Sequence, residues 1–467
     1  MRIIAFLLVS LISSNLQAQS ELGYDDFIAW VKAHHPVSKQ ADITVAFGEQ
    51  GLRASRGGFD PVLYFDYDSK RFKESNYYDK REYGLRVPTW AGVELKGLLE
   101  QNAGTFLNPE QAVPEDGLIA MGASVNLGQG LIIDKRRAAL RQAQVYAEAT
   151  KAERLQILNN LYMDATEAYW VWSADYQNVR ILAEGVELAN QRFEMVKESF
   201  VQGDFPAIDT VEAYTQVMDR IYRLQSAQIQ FFRSTQLLNT YLWDENDAPL
   251  DLLEGIYPEN VLEEREFGYN KDALRDYVFY HPNLRLTDFD IESLQIDRRY
   301  RANLLLPVMK FDYNFLSETI SGFDQAQFFQ NNYKAGFTFA MPMFLRRERG
   351  ELGIAKARIN FTQYQRDLKL IQLQNKLEAE IFNFETVEKQ LGVYQRNVTG
   401  LRKLLDGEMM RFEIGESSLF LVNAREVSLI SAQTTLNDLA AKRKSAYAKM
   451  LNAAGLGFEE VLLDDNP

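Results

Sequence analysis

Pro61-Val62-Leu63-Tyr64-Phe65-Asp66-Tyr67 and Pro307-Val308-Met309-Lys310-Phe311-Asp312-Tyr313 are the same stretch written twice. Upstream of each copy stands a His-Pro pair, His35-Pro36 and His281-Pro282. Both landmarks are displaced by 246 residues, Pro36 to Pro282 and Pro61 to Pro307, so the interval keeps its length without a gap. Downstream, Phe200 and Gly203 return as Phe412 and Gly415, which preserves the order of landmarks as well as their identity. The period far exceeds that of solenoid repeats, so the chain reads as one duplicated module of several elements. Inside the quoted stretches the apolar period is two: Leu63, Phe65 and Tyr67 share a face opposite Tyr64, Asp66 and Asp68. In the second copy Met309, Phe311, Tyr313 and Phe315 alternate with Lys310, Asp312 and Asn314. This is the pattern of a strand with two unlike faces.

A return strand is predicted in each half. Ile119, Met121, Val125 and Leu127 alternate with Gly122, Ser124 and Asn126, and Phe337, Phe339 and Met341 alternate with Thr338 and Ala340. Everything else reads as helix. Helices precede Pro61 and Pro307, and proline-free stretches run from about Leu131 to Phe200 and from about Leu345 to Phe412. Some 70 residues of helix make a rod roughly 100 Å long. Leu155, Leu158, Leu161, Tyr162, Ala165 and Tyr169 follow the three-and-four spacing of coiled-coil-like packing. Gly203 and Gly415 are the expected helix stops. Descending helices follow to about Leu242 and Ala454, with Asp209 or Ser417-Ser418 available as caps. The expected division is a signal peptide at 1-18, repeat 1 at 19-243, an acidic linker at 244-266, repeat 2 at 267-456 and a tail at 457-467. The linker carries Asp244, Glu245, Asp247, Asp251, Glu254, Glu259, Glu263, Glu264 and Glu266, read as a solvated surface.

The first eighteen residues place an arginine, Arg2, before an apolar run from Ile3 to Ile12 and end in Leu16-Gln17-Ala18, the layout of a secretory signal cleaved after Ala18. The run is too short to span a bilayer, which needs about 20 residues of helix. There is no cysteine, so disulfides, thiolate sites and lipidated cysteine are excluded. With 65 acidic and 51 basic residues the chain is at −14 and repels phosphate backbones, which argues against nucleic acid. An isolated hairpin is marginal in water, so strands this sparse need partners from the other half or from other subunits.

Helix, strand, strand, long helix, helix, stated twice after a signal peptide, resembles the TolC family of outer membrane efflux channels across nearly the whole mature chain. The marks are the repeated His-Pro pair, Pro61 and Pro307 opening the strands, and the paired Phe-x-x-Gly turns. The resemblance implies a mainly α fold with a small β part. It implies a homotrimer, with four strands per subunit in a shared 12-stranded transmembrane β-barrel and an α-barrel tunnel of long helices reaching into the periplasm of a Gram-negative-type envelope. It also implies a periplasmic adaptor and an inner-membrane pump, with small molecules as cargo. In that arrangement Leu63, Phe65, Met121, Val125, Met309, Phe311, Phe337 and Phe339 face outer membrane lipid, while Asp66, Ser124, Asn126, Lys310, Asp312 and Thr338 face the lumen. The periplasmic tips that receive the adaptor correspond to Phe200, Gly203, Phe412, Gly415 and Ser417. Asp209 stands six residues past the glycine, as in the family pattern, and with Asp204 and Glu212 is the candidate aperture; the second repeat departs, with Leu421 at that place.

The first hairpin, Pro61 to Leu127, is about twice as long as Pro307 to Met341. The excess, near 76-116, contains an alternating stretch from Tyr83 to Gln101 with a turn at Pro88-Thr89-Trp90-Ala91-Gly92. Because both flanking helices must lie on one side of the membrane, the insertion is either a small hairpin outside the barrel or a pair of added strands; the former is the expectation. No enzyme is expected. The histidines are His34, His35 and His281, two of them in the repeated pair and read as helix-end packing. No phosphate-binding loop or His-Glu-x-x-His is present, and Met409-Met410 beside Arg411 reads as core packing. No metal or other cofactor is expected. Two other readings share these features: a type I protein secretion conduit of the same architecture, and an exported coiled-coil scaffold that crosses no membrane.

Overall fold

The computed structural model describes residues 20-318 and 332-458. The predicted signal peptide and nearly all of the C-terminal tail lie outside the described residues. Two compact units are present, and each draws on both halves of the sequence. One contains residues up to Asp42, 154-283 and from Leu370 on; the other contains 43-153 and 284-369.

Eight helices are described: α1 (Tyr24–His34), α2 (Pro36–Arg56), α3 (Lys135–Gln202), α4 (Ala207–Asn239), α5 (Lys271–Tyr277), α6 (Pro282–Asn303), α7 (Arg346–Glu413) and α8 (Leu419–Ala454). The two long ones, α3 and α7, are each 68 residues. Eight strands complete the chain: β1 (Ser20–Leu22), β2 (Val62–Phe72), β3 (Ser75–Pro88), β4 (Val93–Ala103), β5 (Leu118–Asn126), β6 (Ile256–Pro258), β7 (Val308–Glu318) and β8 (Tyr333–Ala340).

The His-Pro pairs divide helix from helix. A residue before proline is driven out of the helical region, and His35 sits at φ −65°, ψ 134° at the end of α1. Each imidazole then accepts a hydrogen bond at Nδ1 from the first turn of the next helix, from the Val37 N–H at 3.2 Å and from the Asn283 N–H at 3.1 Å. Burial lowers the pKa of His35, which favours the neutral ring that this acceptor role needs. The repeated pair is therefore a helix break and an N-terminal cap in one dipeptide.

The core of the first unit forms where α1 meets α3, α4 and α8, around Phe27, Val31, Leu158, Tyr169, Trp170, Trp172, Leu238 and Ala440. The hydroxyl of Tyr169 donates to the Leu22 carbonyl at 2.5 Å and accepts from the Glu259 N–H at 3.1 Å, and Ser173 donates to the Glu259 carbonyl at 2.6 Å. These bonds tie the parallel β1–β6 pair and part of the acidic stretch to α3. Lys444 is buried with its ammonium 3.6 Å from the Trp170 ring centre, and burial pushes its pKa down to about 8.

The second unit holds one six-stranded antiparallel sheet in the order β2-β3-β4-β5-β7-β8. This corrects the strand count. The segment near 76-116 is not a hairpin outside the sheet: β3 and β4 lie between β2 and β5, with unbroken ladders from Asp79↔Ala103 to Pro88↔Glu94 and from Val93↔Val125 to Glu100↔Leu118. The physical reason is that Tyr83, Leu85, Leu95 and Leu99 continue the apolar face of the neighbouring strands, so pairing keeps these side chains on one side with Leu63, Phe65 and Met121. Each chain thus supplies six strands instead of four, and the twelve-stranded total does not follow from it. The mainly α class with a smaller sheet stands. Helices of the same unit pack through Ile133, Ala138, Val145 and Ile296, and through the ion pairs Arg301–Glu351 and Arg366–Asp288, both at 2.5 Å.

Candidate functional site

The sheet has two unlike faces across all six strands. Residues directly opposite in a ladder share a face, and the register links Phe65↔Tyr83↔Leu99↔Ile119 and Gly97↔Met121↔Phe315. It also links Val125↔Phe311↔Phe337, and Met309↔Phe339. All eight residues expected to face lipid lie on this one face, and most of its large side chains are exposed, Leu63 at 81%. The opposite face carries Asp66↔Glu82↔Glu100, Glu94↔Ser124↔Asp312 and Asn126↔Lys310↔Thr338, so all six residues expected to face a lumen lie together there. Asp312 receives Lys96 at 2.9 Å and Lys310 at 3.2 Å, while Ser124 is buried within the face. At the end of the sheet where Trp90 turns β3 into β4, Leu131, Ile132, Met343 and Phe344 are also exposed. Among the described residues no helix is long and apolar enough to cross a membrane.

The helical tips are in the first unit. Gly203 and Gly415 have φ of 89° and 79°, the left-handed stop that glycine adopts without strain. Each closes the same pair of bonds. Gly203 N–H donates to the Phe200 carbonyl and Asp204 N–H to the Ser199 carbonyl, at 3.0 and 2.9 Å. Gly415 N–H donates to Phe412 and Glu416 N–H to Arg411, at 3.0 and 2.8 Å. The tips lie side by side: Phe412 stacks on Phe205 with centroids 6.0 Å apart, beside buried Val196, Ala213 and Leu419. Phe200 is exposed.

The start of α8 is capped by Ser418, whose side chain accepts from the Leu421 N–H, and Ser417 donates to Glu408 at 2.5 Å. The Ser417 bond, helped by Arg411 and Arg425, holds the Glu408 carboxyl below the usual range. The start of α4 has no side-chain cap. The expected cap at Asp209 is corrected: the N-cap position falls on Pro206, whose fixed φ ends the loop, and Asp209 is the third helical residue. Asp204 is exposed, and Asp209 and Glu212 are half-buried.

A cluster the sequence reading missed lies just behind the tips. Glu426 of α8 meets Arg192 of α3 at 2.5 Å and Arg220 of α4 at 3.7 Å, and both Glu426 and Arg220 are buried. Asn423 accepts from Arg192 at 3.0 Å and donates to Glu212 at 3.4 Å. Burial lowers the Arg220 pKa, opposed by Glu426. The available signal was Arg220 on the stripe with Ala213 and Val217, and Glu426 on the stripe of Leu419, Val422 and Leu429, charges where the spacing calls for core.

No protein-family model matches the chain, and no curated protein matches its sequence. Solved structures do match. The CmeC outer membrane channel of Campylobacter jejuni aligns over 94% of this chain and 86% of its own, with TM-score 0.65 and 15% identity. The fold is that of the outer membrane channel proteins. The outer membrane protein VceC of Vibrio cholerae aligns over 93% of this chain and 96% of its own at TM-score 0.65 and 15% identity. The open-state MtrE outer membrane channel of Neisseria gonorrhoeae gives 96% and 94% at 0.61 and 14%. The resemblance to the TolC family read from the sequence holds at the level of fold, over nearly the full length of these channel proteins.

Proposed function

We propose that this chain is the subunit of an outer membrane export channel, a homotrimer whose sheets close into a barrel in the outer membrane and whose helices line a passage through the periplasm. The observation that carries the reading is the sheet: one face apolar and largely exposed across six strands, the other carrying the charged and polar side chains, in a chain with no helix long and apolar enough to cross a membrane among its described residues. Water penalises such a face and a bilayer rewards it, while the backbone at both sheet edges requires closure before it can sit in hydrocarbon. An exported soluble scaffold has no use for that face. The apolar side, with Leu63, Phe65, Met121, Val125, Met309, Phe311, Phe337 and Phe339, is then the lipid side, and Asp66, Ser124, Asn126, Lys310, Asp312 and Thr338 line the lumen. The tips at Gly203 and Gly415, with Phe200, Phe412 and Ser417, dock a periplasmic adaptor that couples the channel to an inner-membrane pump, and Asp204, Asp209 and Glu212 border the aperture. Small molecules are the cargo class.

Reconstitution of the full-length protein into planar bilayers tests this. Discrete, uniform conductance steps are expected. Protein that incorporates into no bilayer and carries no current overturns the reading.

A further inference from the structure

The six-stranded sheet ends in two edges with no strand partner among the described residues, the outer side of β2 and the outer side of β8. All five neighbouring pairs are antiparallel, so with an even number of strands β8 runs opposite to β2. Laying the β8 edge of one copy against the β2 edge of another therefore continues the alternation, and Phe65 and Phe337 stay on the same apolar face. Neither edge is defended. From Val62 to Ser69 β2 has no proline and its register is regular, the shift coming only at Lys70/Arg71, and β8 is eight residues without proline.

We propose that each edge is completed by a second copy of this chain, β8 against β2, and that β3 and β4 stand in the wall, so that three copies close an eighteen-stranded barrel. The inference rests on the membrane channel reading above and fixes the size of its wall. With strands about 4.8 Å apart and tilted about 40°, eighteen strands close at a diameter of about 36 Å between backbones, against about 24 Å for twelve. The sheet end of the conduit is then about one and a half times wider than four strands per subunit would give.

The chain has no cysteine, so paired cysteines in the full-length protein, oxidised in its membrane, each report one contact. Combinations of Leu63→Cys, Phe65→Cys or Tyr67→Cys with Ala335→Cys, Phe337→Cys or Phe339→Cys are expected to give a ladder of two and three linked chains in at least one register. Leu95→Cys with Ala123→Cys, opposite each other on β4 and β5, is expected to link within the chain. Phe65→Cys with Met121→Cys is expected not to link, because β3 and β4 separate them. A trimer by detergent-corrected mass in which Phe65→Cys and Met121→Cys do link overturns the wide wall and leaves the channel standing. A trimer with no β2 to β8 link in any register overturns the edge pairing alone. A water-soluble protein with no linked chains overturns both.

Discussion

At the first tip Val196 of α3 and Ala213 of α4 share a buried apolar cluster; 212 residues on, at the second tip, the same two places hold Glu408 of α7 and Arg425 of α8, 3.6 Å apart. Phe205 of the first tip likewise corresponds to Ser417 of the second, so a stacked ring stands where the other copy has a hydroxyl donating to Glu408. The turns are meanwhile identical in their glycine, their positive φ and their pair of closing bonds. The difference teaches that the backbone stop is what both tips require, while the side chains that clamp it admit either an apolar or a polar solution. The second clamp carries an ion pair at the two places where the first is apolar, so the tips should differ in their response to pH.

The largest effect is expected where the two hairpins are tied together. Glu426→Ala leaves Arg192 and Arg220 without their shared carboxylate in a buried site, at a cost of about 3 kcal/mol. Hydrogen exchange should rise at both tips, and a change confined to α8 would contradict the tie. Val196→Ala removes buried methyl groups from the cluster it shares with Ala213 and Leu419 and should weaken it by about 1 kcal/mol at every pH, with exchange rising at the first tip and at the start of α8. Gly203→Ala and Gly415→Ala should each cost about 1 kcal/mol and equally, because an added Cβ meets nothing within 4 Å at either place and only the left-handed backbone resists. Unequal losses would show that the turns are not equivalent. Ser418→Ala should cost about 0.5–1 kcal/mol at the start of α8, with no counterpart at Pro206. The smallest effect is that of Glu408→Gln. The Glu408 carboxyl titrates below its unfolded value of 4.5, so its contribution is present above that pH and lost as pH falls through the lowered value. On acidification hydrogen exchange in the wild-type protein should rise more at the second tip than at the first, and the variant should lose that difference.

The fold was legible because its elements repeat. The His-Pro pairs, the Pro-Val strand starts and the Phe-x-x-Gly stops each placed a boundary that the structure has within a few residues. The long helices were readable as proline-free runs ending in glycine. The six-stranded sheet was less legible. The β2–β3 hairpin turns at Lys73 and Glu74, both at positive φ (49° and 63°), and neither is the glycine or asparagine that marks such a turn. Without that mark, the alternation of Tyr83, Leu85, Leu95 and Leu99 looked like an appendage. The buried cluster at Arg192, Arg220 and Glu426 was missed for a different reason: its residues are far apart in sequence, and each alone looks like a solvated charge.

The most direct measurement is the membrane location of the mature protein together with its detergent-corrected mass. Extraction from the outer membrane fraction only with detergent, at the mass of three chains, is the expected result. Recovery as a water-soluble monomer or dimer would contradict it.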